Sequence, residues 1–83
     1  MVQKDYLVDI RATQYTLEEA KEIISQTLER LSDMGVWSFT FLEEIELEED
    51  VYSFEITISH EHESLYFDAP LSEYFEDVQI SML

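Results

Sequence analysis

Residues 36–48 read Val36-Trp37-Ser38-Phe39-Thr40-Phe41-Leu42-Glu43-Glu44-Ile45-Glu46-Leu47-Glu48. Trp37, Phe39, Phe41, Ile45 and Leu47 hold odd positions, and Ser38, Thr40, Glu44, Glu46 and Glu48 hold even ones. A period of two belongs to a β-strand, whose successive side chains point to opposite faces. Glu43 interrupts the odd series and marks a bulge or bend. After an acidic turn at Glu49-Asp50, a second run sets Tyr52, Phe54, Ile56 and Ile58 against Ser53, Glu55, Thr57, Ser59 and Glu61. The two runs predict a long hairpin with one apolar face, and aromatics at this spacing are expected in a core.

Working outward from the hairpin, residues 2–12 put Tyr6, Val8 and Ile10 on one face and Asp5, Leu7, Asp9 and Arg11 on the other, a first strand. Thr16 stands three residues before Glu19, the spacing of a helix-capping box. Leu17, Ala20, Ile24, Leu28, Leu31 and Met34 then recur every three or four residues, with Ile23 widening the stripe. Gly35, the only glycine, follows as a C-terminal cap, so a helix is expected over 17–34. Beyond the hairpin, a short strand is expected at Glu63 to Phe67. A turn or short helix follows from Asp68-Ala69-Pro70 through Phe75, and then a last strand from Val78 to Met82.

The order β-α-β-β-β-short α-β defines an α+β fold, with one long helix packed on an antiparallel sheet of about four to five strands. At 83 residues the chain suits a single domain, 1–83, with one core. The absence of cysteine excludes a disulfide framework, a thiolate metal site and a cysteine nucleophile. Apolar stretches are short, and Met1-Val2-Gln3-Lys4-Asp5 lacks the basic start and apolar core of a signal peptide, so no membrane association and a cytoplasmic location are expected.

Charge is the feature that bears on function. Twenty acids face four bases, a formal net of -16. Lys4, Arg11, Lys21 and Arg30 all lie in the first 30 positions, and from Leu31 to Leu83 there are fourteen acids and no base. Such a segment repels itself and excludes direct binding to nucleic acid or an anionic membrane. If the strands alternate regularly, Glu44, Glu46, Glu48, Glu55, Glu61 and Glu63 all fall on the sheet face opposite the helix. Carboxylates at alternate positions would be about 6.6 Å apart there, on strands about 4.8 Å apart. A rigid array of this kind can take the place of DNA phosphates in a basic groove. Tyr66, Tyr74 and Phe75, set among acids, are expected to be exposed contacts for such a partner. The alternatives are an ordinary charged strand face, adaptation to high salt, and an assembly module that docks its acidic face on a basic subunit.

Glu63-Ser64-Leu65, followed by Pro70 and the acidic, apolar run Leu71-Ser72-Glu73-Tyr74-Phe75-Glu76-Asp77-Val78, resembles the Glu-Ser-Ile strand motif and acidic helix of uracil-DNA glycosylase inhibitors from phages and staphylococci. The resemblance implies that Glu63 and Ser64 enter a DNA groove with Leu65 beside them. In composition the chain is also similar to phage-encoded DNA mimics, including anti-CRISPR and anti-restriction proteins. The resemblance therefore implies a non-enzymatic inhibitor acting in a host bacterial cell on a basic DNA-binding protein or enzyme. The sequence leaves the oligomeric state open between a monomer and a homodimer through the edge of the last strand.

Other chemistry has less support. His60 and His62 share a strand face at a spacing that suits zinc, but no third local ligand accompanies them, so neither metal nor cofactor is expected. No phosphate loop or nucleophile elbow is present, and solvated carboxylates on an open face do not make an acid-base site.

Overall fold

The computed structural model describes residues 2–31, 35–61 and 67–83. Four strands, β1 (Val2–Arg11), β2 (Val36–Glu48), β3 (Val51–His60) and β4 (Asp77–Met82), form one antiparallel sheet; helix α1 spans Leu17–Arg30 and the one-turn helix α2 spans Asp68–Leu71. The strand order β2-β3-β1-β4 leaves β2 and β4 at the edges. The α+β architecture expected from the sequence is therefore present.

Alternation in β1 organises the core. Tyr6 lies opposite Ile56 and Met82, Val8 opposite Phe54 and Ile80, and Ile10 opposite Tyr52 and Val78. Directly opposed residues point to the same face, so these rows form an apolar floor. Ala20, Ile24 and Leu28 of α1 are buried over it, with Phe67, Leu71 and Phe75 filling one side. Phe75 meets Tyr15 edge-on at 5.9 Å between ring centroids. Its burial corrects the expectation that it is an exposed contact: Phe75 packs against Tyr15 as part of the core, where its apolar area leaves water.

The capping box forms as expected. Thr16 accepts from the Glu19 amide, and the Glu19 carboxylate accepts from the Thr16 amide at 2.9 Å. The helix has 14 residues and ends earlier than its apolar stripe suggested. Leu31 has φ -79° and ψ 0° and donates toward the Thr27, Leu28 and Glu29 carbonyls, which tightens the final turn. Gly35 acts instead at the start of β2. Its φ of 100° is a backbone region that glycine enters without a Cβ clash, and its carbonyl accepts from the Glu61 amide at 2.8 Å. Most of the strand expected at Glu63 to Phe67 lies outside the described residues. Phe67 itself is the N-cap of α2, with its ring 5.8 Å from that of Tyr6.

Candidate protein-interaction site

The hairpin forms, but β2 is not a regular strand. Its register against β3 shifts between Val36 and Ser38, between Phe41 and Glu43, and between Glu46 and Glu48. Trp37, Leu42 and Leu47 are thus the extra residues of three successive bulges. Each extra residue reverses which parity points inward. Phe39 and Phe41 lie opposite Ile58 and Ile56 on the core face. After Leu42, Glu44 and Glu46 take that face, opposite Phe54 and Tyr52, while Glu43 and Ile45 lie opposite Glu55 and Ser53 on the open face. Glu48, opposite Val51, returns to the open face.

This geometry corrects the acidic array. Glu44 and Glu46 do not join Glu48 and Glu55 opposite the helix; the Leu42 bulge turns them to the helix side. An ion pair marks the reversal, since Lys21 of α1 reaches Glu44 at 2.9 Å. The same ammonium lies 5.1 Å from the centre of the Phe41 ring, a cation–π distance. Glu46 flanks Tyr52, whose hydroxyl donates to the Tyr15 carbonyl at 3.3 Å. Burial pushes the Tyr52 phenol above its ordinary value, and the negative fields of Glu46, Asp50 and Glu19 add to the rise.

The apolar series is redistributed as well. Trp37 is 63% exposed, Leu42 51%, Ile45 44% and Leu47 54%, whereas Tyr52 and Phe54 are buried and Phe39 and Phe41 lie half-buried on the core. Trp37 was expected inside; as a bulge residue it loses its place in the inward row. The result is a run of large apolar side chains along an edge strand that also carries Glu43, Glu44, Glu46 and Glu48, all of them exposed.

The remaining expected contacts do not converge here. Glu61 is exposed just past β3, and Tyr74 is exposed in the turn before β4, the opposite edge strand. Glu63, Ser64, Leu65 and Tyr66 lie outside the described residues. His60 is buried, with Nε2 2.9 Å from the Tyr6 hydroxyl, while His62, two positions on, is outside the described residues.

Sequence reasoning did not include Glu43, Asp5, Asp9 and Asp77 in the open-face array, although the outward positions of β1 already placed Asp5 and Asp9 there. The open face also carries Ser38, Thr40, Ser53, Thr57 and Ser59, with Thr57 donating to Asp5 at 2.6 Å. Arg11 lies on this face opposite Val51 and Asp77, so it is not wholly anionic. Glu43 and Glu55 are directly opposed, an arrangement that costs stability in the free protein. A cation placed between them relieves that cost.

No family model, curated protein or solved structure matches the chain. Among the described residues no helix is long and apolar enough to cross a membrane.

Proposed function

We propose that this protein is a non-enzymatic, DNA-mimicking inhibitor that occupies the basic DNA-binding groove of a host nucleic-acid enzyme or defence complex. The observation that carries the reading is the second half of β2. From Leu42 to Glu48 every residue is exposed, with carboxylates on both faces and Leu42, Ile45 and Leu47 among them. Phosphates flank bases in DNA; here carboxylates flank apolar side chains, so charge attracts the groove and apolar burial holds it. The resemblance of Glu63-Ser64-Leu65 to the inhibitor motif makes uracil-DNA glycosylase a specific candidate target, alongside anti-CRISPR and anti-restriction roles of phage origin.

Affinity capture on immobilised protein from a bacterial lysate, eluted with duplex DNA, tests the proposal. The expected result is release of a nucleic-acid-binding protein by DNA. Replacing Glu43, Glu44, Glu46 and Glu48 with Lys should lower capture at least about tenfold with the fold retained. A partner that ignores DNA supports the second reading, a permanent assembly module, which the four exposed apolar residues of β2 favour. Undiminished capture by the charge-reversed variant sinks both.

A further inference from the structure

We propose that the outer edge of β2 receives an extended Lys- or Arg-rich segment of the partner protein, which adds to the sheet as a further strand. The inference rests on the reading of a basic partner and specifies how that partner is held. β2 has 13 residues and is outermost in the sheet. Among the described residues no strand pairs with its outer side. A strand with an open side presents unpaired amides and carbonyls to any chain that fits.

Proteins guard such edges with charged side chains, above all lysine, with proline, short length or bulges, and β2 uses glutamates and bulges. β2 has neither lysine nor proline and is the longest strand of the sheet; β4, at the other edge, has six residues. Its bulges leave two regular runs, 38–41 and 43–46. In the second run Glu43 and Ile45 point to the open face, and Glu44 and Glu46 to the helix face. The acids then act as a filter. The β2 strand of a second copy would bring the same four carboxylates and no base of its own, so β2-to-β2 dimers are repelled. An added strand about 4.8 Å away that carries bases on both faces meets Glu43 on one side and Glu44 and Glu46 on the other. An apolar residue in it lies over Ile45, with Leu42 and Leu47 at the ends of the run.

In antiparallel order the complement of Glu43-Glu44-Ile45-Glu46 is Lys-Val-Lys-Lys. The probe is a synthetic peptide built on that pattern, compared with a version methylated on the backbone nitrogens that face β2. Methylation keeps every charge and removes the hydrogen bonds of strand addition. The expected result is salt-sensitive binding of the parent peptide, slowed amide exchange along β2, and an affinity at least about tenfold lower for the methylated peptide. Glu44→Gln with Glu46→Gln should weaken the parent without altering the circular dichroism of the fold. Equal affinity of the two peptides, unchanged β2 exchange, or no binding at low salt overturns the inference. These failures are separate from failure of the inhibitor reading. DNA-competed capture with a silent edge leaves the mimic and removes strand addition, whereas edge pairing without DNA-competed capture does the reverse.

Discussion

At the residue scale, individual hydrogen bonds decide where charge is held. Thr13 donates to Glu76 through both its hydroxyl and its amide, and the Glu76 amide donates to the Arg11 carbonyl at 3.0 Å, tying the start of β4 to the end of β1. The Thr13 hydroxyl bond is the largest influence that holds the Glu76 carboxyl below its ordinary 4.5, with the amide bond next. A carboxylate favoured in the folded state stabilises the fold above its unfolded value, and that contribution is lost as pH falls through the lower folded value. Thr13→Val should therefore be less stable than the parent at neutral pH, with the gap closing below about pH 4.5. Urea unfolding of both proteins across that range checks it, and a gap that persists in acid would assign the effect to packing. The Thr16–Glu19 box was legible because both partners sit within one turn. The Thr13–Glu76 pair was not, since it joins positions brought together only by the β1–β4 register.

At the element scale, strands and helices follow from periodicity, but the face of a strand depends on counting every residue between bulges. Tyr52 to Ile58 alternate without interruption, and all four inward residues are buried as expected. In β2 the interruption at Glu43 was visible, and its consequence for Glu44 and Glu46 was not, because alternation alone leaves open which neighbour is the extra residue. The three bulges fall at Trp37, Leu42 and Leu47, five residues apart, and their large side chains reach solvent. Deleting Leu42 should remove its bulge while keeping Glu43 opposite Glu55 and Glu44 opposite Phe54, because the residues on either side already pair in continuous order. Stability should change by no more than about 1 kcal/mol, since the lost side chain is half in water. Cross-strand nuclear Overhauser effects between Glu44 and Phe54 report the register. Their loss would show that Leu42 is paired and not an extra residue.

At the scale of the whole molecule, a net charge of -16 acts on folding and on binding with opposite signs. Lys21–Glu44 is the one side-chain ion pair within 4.0 Å among the described residues, so the dominant long-range interaction within the fold is repulsion. Raising monovalent salt from about 0.01 M to 1 M shortens the screening length from roughly 30 Å to 3 Å. Screening should raise the melting temperature by several degrees, because the folded state holds like charges closer than the unfolded chain does. The same salt should slow capture of a basic partner while leaving dissociation nearly unchanged, since steering acts before contact and apolar burial after it. Adaptation to high salt predicts a different pattern, in which the chain fails to fold at 0.01 M and its partner binding carries no steering component. One salt series read by calorimetry and by association kinetics thus separates the two. A rising melting temperature with falling association rate supports an anionic surface built for encounter, and an association rate indifferent to salt removes the electrostatic part of the proposed function.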